Sequence, residues 1–257
     1  MSWKLSVKGY VGYENSLPEA AARMRLPDRL RVVAAMVPPG LPCLDIGTDH
    51  ARLPIELVRA GQIPRAIAAD RRAGPLGGAR ANVKAAGLSD AIDVRASDGF
   101  DALGKDEAGV ATLAGMGGEN IAEVIVRGKP GRLGISTMVI QANTDHPLVR
   151  QALWQEGWNI VDERLCVDAG RVYLTILACL GLPGAAPNPG LAEVMLGAHL
   201  PKQGGPLVLA WLAALRDHLC TRQAGLAAGG ADSEELSLCQ ELIDLYENTM
   251  AALAVKK

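Results

Sequence analysis

Aromatic side chains are scarce in this 257-residue chain, which has one Phe, four Trp and four Tyr although 49% of its residues are hydrophobic. Its core must therefore be built from Ala, Leu, Val and Ile, which favours helices packed on a sheet over a β-sandwich. No run of eighteen uninterrupted apolar residues occurs, so no membrane span is expected. The opening segment MSWKLSVKGYVGYENS lacks the apolar stretch of a secretory signal, which makes the cytoplasm the expected compartment. Five cysteines, at 43, 166, 179, 220 and 239, form no Cys-x-x-Cys pair, and no His stands at metal-ligand spacing. That pattern argues against a disulfide framework and against a metal site, and the cysteines read as small buried hydrophobes. An excess of positive charge is also missing: the formal net charge is −2, whereas proteins that neutralise many phosphates usually carry more Lys and Arg. A local bias remains, because Lys4, Lys8, Arg23, Arg25, Arg29 and Arg31 are opposed in the first 33 residues only by Glu14, Glu19 and Asp28. This fits either a solvated helix face or an RNA-facing patch.

Periodicity divides the chain into three parts: an N-terminal extension over 1–22, an α/β domain over 23–182 and a helical domain over 190–257. Residues 1 to about 17 are polar and aperiodic, and a helix is expected from Pro18 to Val37, stopped by Pro38-Pro39-Gly40. Strand-like runs follow at 43–47, 65–70, 91–97, 110–115 and 136–142, each succeeded by a segment compatible with a helix. Five short apolar strands alternating with helices imply a doubly wound, mostly parallel Rossmann-like sheet covered on both faces. WNIVDERLCVD (158–168) and RVYLTILACL (171–180) meet at Ala169-Gly170 as a β-hairpin. Such a hairpin adds an antiparallel strand at one end, which distinguishes methyltransferase sheets from plain dinucleotide-binding ones. After the linker LPGAAPNPG, Leu212, Leu215, Leu219 and Leu226 form one apolar stripe. Leu236, Cys239, Ile243, Tyr246 and Met250 form a second, with Asp232 and Glu235 as a capping box between them. The expected form is an antiparallel helical hairpin.

Ligands of doubly wound sheets bind outside the carboxyl ends of the strands, so the polar residues there carry the chemistry. The first strand ends Asp45-Ile46-Gly47-Thr48-Asp49-His50. It is not G-x-G-x-x-G: Asp49 stands where the second glycine would let a pyrophosphate approach, and its charge would repel that group. S-adenosylmethionine has no phosphate and carries a sulfonium and an ammonium, which carboxylates attract. Asp70 ends the second strand, where an acid can accept from a ribose diol. Asp98, followed by Gly99, ends the third, where it can take an adenine amino group. Gly115-Met116-Gly117-Gly118 ends the fourth, with three glycines in four positions. Asn143 ends the fifth, suited either to a flat heterocycle or to capping the next helix. His50 lies beside the expected cofactor; no triad and no metal site emerges.

These strand ends together resemble the bacterial TrmK-like family, which methylates N1 of adenine 22 in tRNA. The resemblance is carried by Arg29-Leu30, LDIGTDHARLP at 44–54, Gly74-Pro75 with Ala79 and Asn82, and AGLSDAIDVRASDG at 86–99. AGMGG at 114–118, QAN at 141–143, EGW at 156–158 and Gly205-Pro206 extend it. It implies an S-adenosyl-L-methionine site drawn from Asp45, Gly47, Thr48, Asp49, His50, Asp70, Asp98, Gly99, Gly115, Met116 and Gly117. Arg29, Gly117, Gly118 and Asn143 would meet the substrate, with Asp49 and Asn143 positioning the reacting groups and the helix of Arg29 facing tRNA. The expected protein is a monomer or weak dimer with tRNA as partner and no membrane association. From the residues alone, a small-molecule methyltransferase and a noncatalytic S-adenosylmethionine-binding regulator stay open, and an NAD oxidoreductase is the weakest reading.

Overall fold

A computed structural model describes residues 24–181 and 189–255. The extension expected over 1–22 and most of the linker lie outside these residues. The chain divides after Pro189 into two compact units.

Helix α1 runs Asp28–Met36; of the helix expected from Pro18 to Val37, residues 18–23 lie outside the described residues and 24–27 are not helical. Pro27 explains the described part of the difference. A proline steers the residue before it away from the α region, and Pro27 itself is extended, with φ −54° and ψ 152°. Its carbonyl accepts from the Leu30 and Arg31 amides at 2.9 and 3.0 Å, so the first turn closes just after the proline.

Strands β1 (Cys43–Ile46), β2 (Ala66–Asp70), β3 (Ile92–Ala96), β4 (Val110–Met116) and β5 (Thr137–Ala142) alternate with α2 (Arg52–Arg59), α3 (Ala73–Ala85), α4 (Gly118–Gly128) and α5 (His146–Gln155). The hairpin strands β6 (Trp158–Asp168) and β7 (Arg171–Leu180) have the expected ends. Ala169 and Gly170 have φ +49° and +75°, the left-handed pair that a two-residue hairpin turn requires. The sheet order is β3-β2-β1-β4-β5-β7-β6. Strands β1 to β5 are parallel, and β7 is antiparallel to β5 and to β6. The antiparallel strand thus lies second from the edge, because β6 folds back outside it. Strands β1, β2 and β5 are buried along their whole length, as helices on both faces demand. Among the described residues of this unit, Arg150 of α5 donates to Glu163 of β6 at 2.8 Å, an ion pair with both side chains almost fully buried.

The second unit contains α6 (Leu191–Leu196), α7 (Leu200–Gln203), α8 (Pro206–Ala228) and α9 (Ser233–Val255). Arg216 pairs with Glu247 at 3.6 Å and Gln223 with Gln240 at 3.1 Å, the order of an antiparallel pair. Asp232 caps α9 as expected, its Oδ1 accepting from the Glu235 amide at 2.9 Å. Leu212 and Leu219 of the first stripe are buried, whereas Leu215 and Leu226 are half-buried. The reading of every cysteine as buried fails at Cys220, which is exposed; Cys43 and Cys239 are buried and all five are free thiols. No helix among the described residues is long and apolar enough to cross a membrane.

Candidate active site

The sheet order reverses between β1 and β4, which opens a crevice at their carboxyl ends. Gly47 leaves β1 with φ +73°, and its amide and that of Thr48 both donate to Ala69 O, at 2.8 and 2.9 Å. A Cβ on Gly47 would lie 3.1 Å from Met116 Sδ, tighter than an ordinary contact, so the Met116 side chain at the end of β4 would have to give way to it. Across the crevice, β4 slips register against β5 between Ala114 and Met116, with Gly115 at φ +81°. Such a bulge re-aims the backbone at a functional edge. His50 and Ala51 are both left-handed, with φ +58° and +52°. Non-glycine residues in that region cost on the order of 1–3 kcal/mol each and concentrate at functional sites. Asn82 of α3 holds the turn by donating Nδ2 to His50 O at 3.0 Å.

Acidic groups dominate the crevice. Asp45 is buried and accepts from Thr112 Oγ1 at 2.7 Å. Burial pushes its pKa up to about 6; the Thr112 hydroxyl pulls it back, as does that of Thr48 from outside hydrogen-bonding geometry, and the Asp70 charge adds to the rise. Thr48 Oγ1 is a buried polar atom with no hydrogen bond. Asp49 is exposed beside His50, its Oδ1 3.4 Å from Nε2. Asp70, buried at the end of β2, accepts the Arg72 amide at 2.8 Å, and the exposed Arg72 guanidinium covers both carboxylate oxygens at 3.3 and 3.5 Å. Asp98 is exposed at the end of β3 and pairs with Arg127 of α4 at 3.1 Å. Gly99, at φ +68°, lies where a Cβ would press on Val124. The described residues contain no group of three or more His, Cys, Asp or Glu able to hold a metal ion. This donor set suits a ligand with a diol and a cationic end.

The fifth strand end does something the sequence left open. Asn143 does not cap α5; its backbone amide donates to Met116 O and its Nδ2 to Gly115 O, both at 2.8 Å, which fastens it to the glycine turn of β4. Gly118 has a packing reason of its own, since a Cβ there would collide with the Thr144 and Asp145 carbonyls. Gly117 has only Thr144 Oγ1 near its absent Cβ, at 3.5 Å. Arg29 turns inward rather than out from a basic face. Its Nη1 donates to Gln141 Oε1 at 3.0 Å, its Nε lies 3.7 Å from Asp168 and its guanidinium stands 5.8 Å from the Tyr173 ring centre. Arg31 is also used locally, donating to Leu26 O at 2.9 Å. Thr112, Gln141, Arg72, Asn82 and Arg127 were missed as site residues. Thr112 and Gln141 leave a trace in the sequence as polar residues inside otherwise apolar strands, and Asn82 leaves one only through the family resemblance.

A family described as "Methyltransferase domain" matches residues 26–176. The tRNA (adenine(22)-N(1))-methyltransferase of Bacillus subtilis (strain 168) is 33% identical over 189 residues, covering 72% of this chain and 79% of its own. Among solved structures, the B. subtilis m1A22 tRNA methyltransferase TrmK superposes with a TM-score of 0.81 at 28% identity, covering 88% of this chain and 99% of that one. A Streptococcus pneumoniae protein in complex with S-adenosyl-L-methionine superposes with a TM-score of 0.76 at 32% identity, covering 86% and 98%.

Proposed function

The chain belongs to the methyltransferase-domain family and, within it, to the tRNA (adenine(22)-N(1))-methyltransferases, and from that membership we propose that it methylates N1 of adenine 22 in tRNA. The observation that carries the cofactor in this reading is the acid-lined crevice between β1 and β4, whose carboxylates would repel a pyrophosphate and attract a sulfonium and an ammonium. The residues fit S-adenosyl-L-methionine: the buried Thr48 hydroxyl wants a partner, Gly47 and Gly115 leave the backbone bare, and Asp45, Asp49 and Asp70 suit cationic and diol groups. When bound, that cofactor supplies an electrophilic methyl group on a sulfonium.

The chain's residues then act by holding and orienting. Asp45 and Asp49 attract the positive end of the cofactor, Asp70 accepts from its ribose and Asp98, beside Gly99, accepts from its adenine. Thr48, His50, Met116 and Gly117 complete the walls. Asn143, with the glycine turn, meets the target base. Adenine N1 already carries a lone pair, so no side chain has to remove a proton first. Catalysis rests on alignment and on favouring the developing positive charge, which accounts for a site without a nucleophile or strong base. Because N1 is on the pairing edge of adenine, the target nucleotide has to be unpaired or extruded to reach the crevice. Arg25, His50, Arg52 and Arg59 line a cleft of about 350 Å³ in which Glu56 pairs with Arg59 at 3.1 Å, so Arg25 and Arg52 are the positive charges an RNA backbone would find there. Such an enzyme works in the cytoplasm, with its tRNA.

Arg72 occupies the oxygens of Asp70 that a ribose would use. The Arg72 end of this pair is exposed and screened by solvent although Asp70 is buried, so Arg72→Ala is expected to tighten S-adenosyl-L-methionine binding by about two- to fivefold in calorimetry. Weaker binding would instead show that Arg72 stays on the ligand. The activity itself is tested with methyl-labelled S-adenosyl-L-methionine and unmodified tRNA, followed by nucleoside analysis. Labelled 1-methyladenosine is expected; labelling of a different nucleoside, or of none, would contradict the assignment.

A further inference from the structure

Gln141 is a wholly buried amide inside an apolar strand, a position where a hydrogen bond left unmade is costly. Its groups are spoken for. Oε1 accepts from Arg29 Nη1 at 3.0 Å, and Nε2 donates to Asn143 Oδ1 and to Ala142 O, both at 3.1 Å. Asn143 passes the series on, donating Nδ2 to Gly115 O at 2.8 Å.

The direction of this chain is set by chemistry at both ends. Arg29 has donors only, so it takes the oxygen of Gln141 and leaves the Gln141 nitrogen for Asn143. Gly115 offers a carbonyl, an acceptor only, so Asn143 has to give it Nδ2. Both constraints select one orientation of both amides. Arg29 is in turn held between Asp168 at 3.7 Å and the Tyr173 ring at 5.8 Å, both at the hairpin end of the sheet.

We propose that Gln141 is a positioning residue for methyl transfer, carrying the donor polarity of Arg29 to Asn143 and holding Asn143 Oδ1 as an acceptor for the 6-amino group of the target adenine. Adenine N1 gains a methyl group and loses no proton, so the ring becomes cationic and shares that charge with its 6-amino group. An acceptor fixed there interacts more strongly as the charge develops. The proposal rests on the placement of Asn143 at the target base.

The test is steady-state kinetics of Gln141→Glu, Asn143→Ala and the double variant on unmodified tRNA, with cofactor affinity by calorimetry and thermal midpoints alongside. Glu at 141 still accepts from Arg29 but sets an oxygen against Asn143 Oδ1. The expected result is a kcat lowered about 10- to 100-fold with cofactor affinity within about twofold of wild type. The double variant is expected to be no slower than Asn143→Ala alone, because both changes remove one interaction. A wild-type kcat for Gln141→Glu beside a slow Asn143→Ala overturns the relay alone, as do losses that multiply in the double variant. A wild-type kcat for Asn143→Ala overturns the placement of the base and the relay with it. Should Gln141→Glu fail to fold, Arg29→Lys and Arg29→Met replace it: Lys keeps a donor and is expected to retain most of kcat, Met to lose it. Equal rates for those two variants would contradict the proposal.

Discussion

Asp45→Asn is expected to raise the thermal midpoint of the ligand-free protein at pH 7 while weakening S-adenosyl-L-methionine binding by about 10- to 100-fold, the range for a hydrogen bond to a charged group. The two effects have one cause. Burial raises the folded-state pKa of Asp45 from 3.8 to about 6. Below pH 3.8 the carboxyl is protonated in both folded and unfolded chains, and its burial carries no charge penalty. As pH rises from there through 6, the unfolded chain ionises first, and folding loses stability. At about 1.4 kcal/mol per pKa unit, the loss at pH 7 is on the order of 3 kcal/mol. Asn removes the charge and recovers part of this, less what its amide hydrogens lose for want of acceptors. A chain of this size gains about 2–4 °C per kcal/mol. Cofactor affinity of the wild type should also fall as pH drops below about 6 and Asp45 protonates. The Asn variant should show no such dependence. A destabilised variant with normal affinity would make Asp45 a structural residue.

Glu163→Ala should destabilise the α/β unit by about 3–5 kcal/mol, because it leaves the Arg150 guanidinium buried without its carboxylate. Removing both partners, as Arg150→Met with Glu163→Leu, should restore most of that loss, since a buried pair repays little more than its own desolvation. Urea unfolding measures both. Arg164→Ala, which breaks the more exposed Asp162 pair at 2.8 Å on the same strand and leaves the Glu163 amide bonded to Asp162 Oδ1, should cost less than about 1 kcal/mol. Equal losses for Glu163→Ala and Arg164→Ala would contradict the assigned difference between the two pairs.

Much of this architecture is legible in local pattern. Strands buried on both faces are mostly apolar, so β1, β2 and β5 stand out as short, largely aliphatic runs, and the positive φ values at Ala169 and Gly170 follow from a two-residue link between two β-rich segments. The acids at strand ends are also visible, because topology decides where a strand end matters. What stayed hidden depends on distant partners. Arg29 and Gln141 are 112 residues apart, and no periodicity foretells that the guanidinium turns inward. Arg72 over Asp70 is a side-chain choice between solvent and a carboxylate, which sequence does not encode as a pattern. Gly118 reads as a ligand glycine until the Thr144 and Asp145 carbonyls are seen against it. The start of α1 after Pro27 is legible too, because a proline disfavours the α region for the residue before it.

The central claim is methylation of N1 at one adenine, and a methyl group there blocks the pairing edge that a reverse transcriptase copies. Unmodified tRNA should be incubated with the protein and S-adenosyl-L-methionine, then read by primer extension, beside the same tRNA with adenine 22 replaced by guanine. The account predicts a cofactor-dependent stop at position 22 and neither a stop nor methyl incorporation in the guanine variant. A stop at another position, or undiminished methyl incorporation into the guanine variant, would contradict it.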